Sequence, residues 1–323
     1  MSQDVSSHTP VRIGISSCLL GNEVRYDGGH KRDAFLVETF GRFVEWVPVC
    51  PEVEMGLGVP RETLRLEQHG DDVRLIMPKT GEDYTTRIRS FAQQRLADLA
   101  KLRLSGYILK KDSPSCGMER VRVYDGPGAP HRGGRGLFAE ALMQRFPHLP
   151  LEEEGRLNDP SLRENFVSRV FAYHRWLQLA EKRITRAVLT RFHAQHKYLL
   201  LAHSQVGTQR LGQLLAHPDQ FADIRHLATA YMDAFTEVMR RPPTRRGHTN
   251  VLQHLAGYVS NQLDAEDRQE LAEMIEHYRR GLLPLIVPVT LLRHYVRKFH
   301  VPYLLDQVYL SPHPHELMLL NQL

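Results

Sequence analysis

Every cysteine in this 323-residue chain stands at the end of a short apolar run, and that placement restricts how the first half can fold. The runs are Arg12-Ile-Gly-Ile-Ser-Ser-Cys18, Phe43-Val-Glu-Trp-Val-Pro-Val-Cys50 and Leu104-Ser-Gly-Tyr-Ile-Leu-Lys-Lys-Asp-Ser-Pro-Ser-Cys116. Bounded by Gly, Pro and polar turns, Val11–Ser16, Trp46–Val49, Val73–Ile76 and Gly106–Leu109 read as strands. Between them Thr85–Arg103 has helical apolar spacing at Ile88, Phe91, Leu96 and Leu99, and Gly136–Phe146 is a second helix ended by Pro147 and Pro150. Such alternation predicts a parallel sheet covered by helices. The carboxyl ends of parallel strands share one edge of the sheet, where open α/β folds build their sites. The three cysteines are therefore expected to meet there.

The second half has no cysteine and a helical pattern nearly throughout. Candidate helices are Ile184–His203, Phe221–Met239, Thr249–Leu263, Ala265–Arg279 and Thr290–Phe299, punctuated by Pro242-Pro243, by Gly281 with Pro284, and by Pro302. In Thr190–His203 the spacing buries Phe192, Leu199 and Leu200 and leaves Arg191, His193, His196 and Lys197 outside. The predicted fold is an α/β sandwich-type parallel-sheet domain over 1–182 followed by an all-α helical domain over 183–323. A helix opened by Pro160 closes the first domain.

Charge separates the halves too. The net charge is +5, and the residues after 182 hold 16 Lys and Arg against 12 Asp and Glu, with 12 of the 18 His. Before that boundary the charges nearly cancel, at 26 against 25. A basic second half hints at a polyanionic partner, more so if histidines protonate. No N-terminal hydrophobic region and no apolar run long enough to span a bilayer is present, so the chain reads as cytoplasmic. An odd cysteine count without a CxxC pair argues against a disulfide framework, and a reducing compartment suits thiolate ligation.

On spacing alone the cysteine chemistry is open. Separations of 32 and 66 residues match no compact metal motif, and a buried cysteine is an ordinary small hydrophobe. Their surroundings point elsewhere. Cys18 precedes Leu19-Leu20-Gly21-Asn22, Cys50 precedes Pro51-Glu52, and Cys116 lies in Ser113-Pro114-Ser115-Cys116-Gly117. Ligands belong at such loop mouths on rigid supports. Thiolates select zinc or iron–sulfur centres. Zinc wants a fourth ligand, and no His lies close in sequence to any of the three. A cubane on three cysteines leaves one iron open as a Lewis acid for a soft donor such as sulfur.

Ser17-Cys-Leu-Leu-Gly-Asn-Glu-Val-Arg-Tyr-Asp-Gly28, Val47-Pro-Val-Cys-Pro-Glu52 with Gly56 and Pro60-Arg61, and Lys110-Lys-Asp-Ser-Pro-Ser-Cys-Gly117 resemble the thiouracil desulfidase family, over roughly residues 11–180. The resemblance implies a 4Fe-4S cluster on three cysteines and removal of sulfur from thiolated pyrimidines. The second half resembles a helical domain of long-unknown function, through the segments Arg241–His254 and Pro284–Tyr295. Proteins that fuse the two resemble desulfidases acting on 4-thiouridine in tRNA. By motif, Cys18, Cys50 and Cys116 are the implied cluster ligands and Glu52 the acid/base carboxylate. Ser113 is the implied holder of substrate or water, with Ser115 its competitor. Water activated by Glu52 would attack the ring carbon as sulfide departs, with no net change of oxidation state.

Plainer readings stand beside these roles. Glu52 can be a solvated carboxylate after a turn, and Ser113 a capping hydroxyl ahead of Pro114. Asn22, Arg25, Tyr26 and Asp27 form a polar loop beside Cys18 that either reads base edges or is a turn built on Asp27-Gly28-Gly29. Lys110 and Lys111 either pair with phosphate and cluster charge or face water. Arg240, Arg241, Arg245, Arg246 and His248 make an arginine-rich loop stiffened by Pro242 and Pro243, suited to RNA phosphates. Arg293, Arg297, Lys298 and His300 decorate a late helix, and Arg183, Arg186, Arg191 and Lys197 an early one. The reading drawn is a desulfidase converting 4-thiouridine in tRNA to uridine. The alternatives are a desulfidase of free thiouracil-type bases or nucleosides, and a zinc-binding nucleic-acid adaptor without catalysis. A radical or dinucleotide enzyme fits less, for want of a CxxxCxxC run or a glycine-rich fingerprint.

Overall fold

The computed structural model describes residues 9–126, 129–181 and 183–321. The chain divides into two compact units between Asn158 and Asp159. In chain order the first unit runs β1 (Arg12–Ser16), β2 (Glu45–Val49), α1 (Pro51–Glu54), β3 (Arg65–His69), β4 (Asp72–Met77), β5 (Glu82–Asp83), α2 (Thr85–Leu102), β6 (Gly106–Leu109), β7 (Val121–Tyr124), β8 (His131–Gly134), α3 (Leu137–Arg145) and β9 (Leu151–Glu153).

One sheet has the order β2-β1-β6-β9, and every pair in it is parallel. Its inner strands are apolar along their length because both faces are covered: β6 is buried at all four positions and β1 at four of five. Helix α2 buries Ile88, Ala92, Leu96 and Leu99, a single stripe at helical spacing. This is the parallel-sheet α/β domain expected from the cysteine-terminated runs.

Val73–Ile76 departs from that expectation. It lies in β4, within a second sheet of order β5-β4-β3-β7-β8. Strands β3 and β4 form an antiparallel hairpin in which Leu66 faces Leu75, turned through Gly70 at φ +61°. Two strands joined by so short a turn pair with each other and cannot make the long crossover a parallel neighbour needs.

The second unit comprises α4 (Pro160–Ala180), α5 (Arg186–His203), α6 (Gln205–Ala216), α7 (Ile224–Met239), α8 (Arg245–Val259), α9 (Ala265–Arg279), α10 (Ile286–Lys298) and α11 (Pro302–Leu305). Helix α4 has Pro160 at its first position, and the Asp159 carboxylate accepts from the Ser161 and Leu162 N–H groups. Its Ala172 and Trp176 pack into the same core as Leu189 and Tyr231. The division therefore precedes this helix instead of following it at 182. Helix α6 has no counterpart among the helices read from sequence, since its Leu211 and Leu215 are diluted by Gln, Gly and Thr. Among the described residues no helix is long and apolar enough to cross a membrane.

Candidate active site

The sheet order explains why three cysteines so far apart in sequence share one place. Strands β2, β1 and β6 are adjacent and parallel, with Ser16 opposite Val49 and Ile15 opposite Ile108. Cys18 lies in the 3-10 turn that follows β1, Cys50 directly follows β2, and Cys116 lies in the loop after β6. All three line one cleft of about 330 Å³, together with Glu52, Arg61 and Lys110. The Ser16 hydroxyl accepts from the Lys110 N–H at 2.9 Å and so ties the ends of β1 and β6 together.

The Cys116 loop is held from both sides. The Ser113 hydroxyl accepts from the N–H groups of Cys116 (3.0 Å) and Ser115 (3.2 Å). From the other side the N–H groups that open α3 close on it: Leu137 donates to the Pro114 carbonyl, and Phe138 and Ala139 to that of Ser115. Gly136 permits this approach, since a β-carbon there would lie 2.5 Å from the Ser115 carbonyl.

Glu52 is fixed at both oxygens. Its Oε2 accepts from Arg61 Nε (3.0 Å) and Nη2 (2.7 Å), and its Oε1 accepts from the Ser115 hydroxyl at 2.8 Å. Arg61 Nη1 also donates to the carbonyls of Val24 and Gly58, each at 3.0 Å. The Arg61 side chain is 5% exposed, so this pair is shielded from water on the arginine side. The two serines thus have different employments. Ser113 caps the loop, whereas Ser115, fully enclosed, reaches the carboxylate. Arg61 has no role in the sequence reading: it lies 9 residues past Glu52, and no local pattern encodes that pairing.

Burial pushes the Cys18 thiol up to about 11, against the pull of Lys110. Burial likewise raises Cys50, and it drives Cys116 well above its ordinary range, with the Cys50 charge adding to the effect. Burial thus favours the protonated form of all three sulfurs. Among the described residues no three His, Cys, Asp or Glu side chains converge closely enough for a single ion.

Comparison with known proteins assigns the first unit to a family. A family model described as 2-thiouracil desulfurase matches residues 13–154. A second, for a protein family of unknown function (DUF1722), matches residues 197–314. The uncharacterized protein YbgA of Escherichia coli K12 is 34% identical over 151 residues, 47% of this chain and 89% of that protein. The uncharacterized protein YbbK of Bacillus subtilis 168 is 34% identical over 156 residues, 46% of this chain and 98% of that protein. The chain belongs to the 2-thiouracil desulfurase family. A solved structure of the 4Fe-4S-dependent thiouracil desulfidase TudS is 29% identical, with a TM-score of 0.40, and spans 48% of this chain and 99% of that one.

Within this desulfurase unit the loop after Cys18 splits in two. Arg25 and Tyr26 line the cleft, as do Lys31 and Lys111. Asn22 instead donates to the Ser17 hydroxyl at 2.8 Å, and Asp27 accepts from the Gly29 N–H and pairs with Arg25. The Gly29 N–H, aided by Arg25, holds the Asp27 carboxyl below its usual range. Those two residues shape the turn. Lys110 Nζ donates to the Glu154 carboxylate and to the Lys111 carbonyl, which holds its charge at the cleft wall.

In the second unit the supposed arginine loop is shorter than expected. Thr244 caps α8 by accepting from the Gly247 N–H at 3.0 Å, so Arg245, Arg246 and His248 belong to the first turn of a helix. The α8 backbone passes so near α5 that a β-carbon on Gly247 would lie 2.1 Å from the Ala202 carbonyl. Arg245 donates to the Tyr278 carbonyl at 2.7 Å and stacks over that ring, while His248 pairs with the Tyr309 hydroxyl at 3.0 Å. Arg240, Arg241 and Arg246 face water. His196, placed outside by the sequence reading, is buried: it falls on the stripe of Phe192, Leu199 and Leu200, stacked on Phe192 at 4.0 Å.

Proposed function

We propose that the chain is a desulfidase that converts 4-thiouridine in tRNA to uridine and hydrogen sulfide, with Cys18, Cys50 and Cys116 holding a 4Fe-4S cluster. One observation carries the chemistry: three thiols and a clamped carboxylate line a single cleft. Such a cluster, when bound, supplies a Lewis-acidic iron with an affinity for a soft thiocarbonyl sulfur.

The chain's own groups supply the rest. Glu52 Oε2 is occupied by Arg61, whereas Oε1 accepts only from Ser115 and keeps a lone pair for a water proton. The carboxylate takes that proton as the water oxygen bonds to the ring carbon, and returns it to the departing sulfide. Overall C=S and water become C=O and hydrogen sulfide, so no reductant is consumed. A positioned acid/base of this kind contributes about 10²–10⁴-fold. Lys110, tethered by Glu154, keeps positive charge beside the anionic thiolates.

The basic groups of the helical unit support RNA over a free base. A base reaching a walled cleft from folded RNA must leave its stack, and backbone contacts offset that cost. In the helical unit, α10 carries Arg293, His294, Arg297 and Lys298 with Thr290 around a groove of about 550 Å³. Exposed Arg241 and Arg246, with Arg240 paired to Glu237 at 3.2 Å, add basic groups to the same unit, whereas Arg245 and His248 are tied inward.

The test is anaerobic reconstitution of the full chain with iron and sulfide, then turnover of 4-thiouridine-containing tRNA, 4-thiouridine nucleoside and 2-thiouracil. The expected ranking places tRNA first in kcat/KM, with an advantage that shrinks as salt rises. Turnover of the free base with tRNA untouched replaces this reading by a free-base desulfidase. Zinc-loaded, iron-free protein that binds RNA without turnover leaves the adaptor.

A further inference from the structure

Helix α10 carries positive charge that the bundle leaves unbalanced. Thr290, Arg293, His294, Arg297 and Lys298 fall at i, i+3, i+4, i+7 and i+8, so they share one face of the helix, while Leu292, Tyr295 and Val296 are buried on another. Arg293 and Arg297 stand one turn apart as like charges, which weakens a helix. Several arginines elsewhere in this unit are matched by carboxylates: Glu276 takes Arg279 and Arg280, Glu237 takes Arg240, and Asp306 takes Arg191. Among the described residues neither Arg293 nor Arg297 has a carboxylate within ion-pair distance, and Lys298 reaches Asp267 only at 4.0 Å. Such a row does nothing for the fold and suits an anionic ligand.

One member of the row is aimed. Arg293 Nη1 meets His315 Nδ1 at 3.4 Å, and His315 Nε2 meets the Ser311 hydroxyl at 3.2 Å. A guanidinium only donates, so Nδ1 accepts and the ring proton sits on Nε2, donating to the Ser311 oxygen. Burial, with Arg293 beside it, holds the His315 ring below its ordinary range, which keeps Nδ1 free to accept. The brace comes from residues 311–321, tied back to the start of α10 where the Ile286 N–H donates to the Leu320 carbonyl at 3.1 Å. Together they enclose a hollow of about 340 Å³, lined by Thr290, Arg293, His313, His315 and Asn321 among others. Thr290 and Arg293 also line the adjoining groove of about 550 Å³. Among the described residues His315 is the sole hydrogen-bond partner of the Arg293 fork, so its other N–H groups are uncommitted.

We propose that Arg293, oriented by His315 and Ser311, is the phosphate anchor of the helical unit and takes one phosphate group of RNA in the hollow between α10 and residues 311–321. This rests on the RNA reading above and narrows it to one pocket. A guanidinium fork engages two phosphate oxygens at once, which a diffuse basic surface does not. Thr290 adds a hydroxyl from the same helix face, and Arg297 and Lys298 continue the stripe along which neighbouring phosphates would lie. The group is either a terminal monoester or a backbone diester, since both offer charged oxygens to the fork. His315 is a positioning residue, acting through Arg293.

The experiment titrates 4-thiouridine-containing tRNA against the full chain at several salt concentrations. Arg293→Gln is expected to weaken binding about tenfold. It should also lower the slope of log affinity against log salt by about 0.7–0.9, the share of one phosphate contact. Arg293→Lys keeps the charge without the fork and should fall between the two. His315→Phe should lose several-fold in affinity, and His315→Gln, which again offers an acceptor, should recover part of it at the same unfolding temperature. Arg225→Gln, on α7 and outside the stripe, should keep the wild-type slope. Removing the 5′-phosphate of the tRNA separates the two sources: a terminal monoester makes Arg293→Gln silent on the trimmed RNA, and a backbone phosphate leaves its effect intact. Wild-type affinity and slope in Arg293→Gln overturn the proposal, as does an equal loss in Arg225→Gln, which would reduce the effect to net charge. Wild type that fails to bind tRNA at low salt removes the RNA reading and this inference together, whereas tight binding with an unchanged Arg293→Gln slope removes this inference alone.

Discussion

Glu52 and Glu164 are both carboxylates with an arginine or histidine at hand, yet the two units employ them in opposite ways. Glu52 lines an open cleft, with Arg61 and Ser115 aiming it. Glu164 lies in the helical unit with its side chain about as exposed as that of Glu52, 16% against 14%, and there it accepts from the Ser168 hydroxyl at 2.8 Å and faces His313 at 3.8 Å. Burial pushes Glu164 up, but His313 and His248 outweigh it and hold the carboxyl below its usual range. Histidines of the helical unit are shifted by burial as well. Burial pushes His196 down to about 3 and His248 to about 4, and it lowers His193 and His203 too. The abundance of histidine in the second half therefore adds less positive charge than the sequence suggests. Polar groups at the strand ends line a cleft, while the same types in the helix bundle are held among its packed residues.

The sharpest way to break this contrast is to neutralise each carboxylate. Glu52→Gln is expected to lower turnover about 10²–10⁴-fold per iron-loaded molecule. Arg61 keeps its carbonyl partners at Val24 and Gly58, so the fold survives and iron content is unchanged. Glu164→Gln is expected to do the reverse, leaving turnover per folded molecule intact and lowering stability by about 1–3 kcal/mol. Assays normalised to iron, paired with thermal unfolding, check both. A Glu52→Gln enzyme running at the wild-type rate would remove the acid/base assignment.

Parts of this were legible in the sequence for physical reasons. An apolar run ending in a turn reports a strand end directly, so the edge at which Cys18, Cys50 and Cys116 gather could be read from residue order. The β3–β4 hairpin was harder, because strand patterning says where a strand lies and not which sheet it joins. Arg61 and Ser115 act through side-chain partners 9 and 63 residues away from them, and no local pattern encodes such pairings. His196 is polar, yet its spacing puts it on the buried stripe of α5. In a bundle core the spacing wins whenever a ring N–H can donate a hydrogen bond to a local carbonyl, here that of Phe192 at 2.8 Å. The arginine loop shrank for a related reason: Thr244 is a good N-cap, and the helix begins there instead of four residues later.

A pH titration sharpens the contrast at a smaller scale. The folded pKa of His196, about 3, lies below its ordinary 6.5, so below pH 6.5 the unfolded chain takes up a proton that the folded chain refuses. Stability is thus full above pH 6.5 and falls as pH drops towards 3. For His196 alone the loss between pH 7.5 and pH 5 is about 2 kcal/mol. His248 and Glu164 act in the same direction. Urea unfolding of the full chain followed by far-UV circular dichroism should show the decline, and His196→Leu should flatten it. Identical slopes for both proteins would mean that the ring is hydrated in solution.

The smallest expected effect separates the two serines of the Cys116 loop. Ser113 stabilises backbone, with its hydroxyl accepting from two N–H groups, so Ser113→Ala should cost about 1 kcal/mol, as for other lost caps. Turnover per iron-loaded molecule should change little, because the geometry around Glu52 depends on Ser115. Ser115→Ala removes the donor to Glu52 Oε1 without touching the cap, so the rate should fall while the loop holds. Were Ser113→Ala to slow turnover as much as Glu52→Gln with stability unchanged, the Ser113 hydroxyl would be in contact with substrate. The cleft would then have two polar faces, and its resemblance to a scaffolded site with one aimed carboxylate would fail.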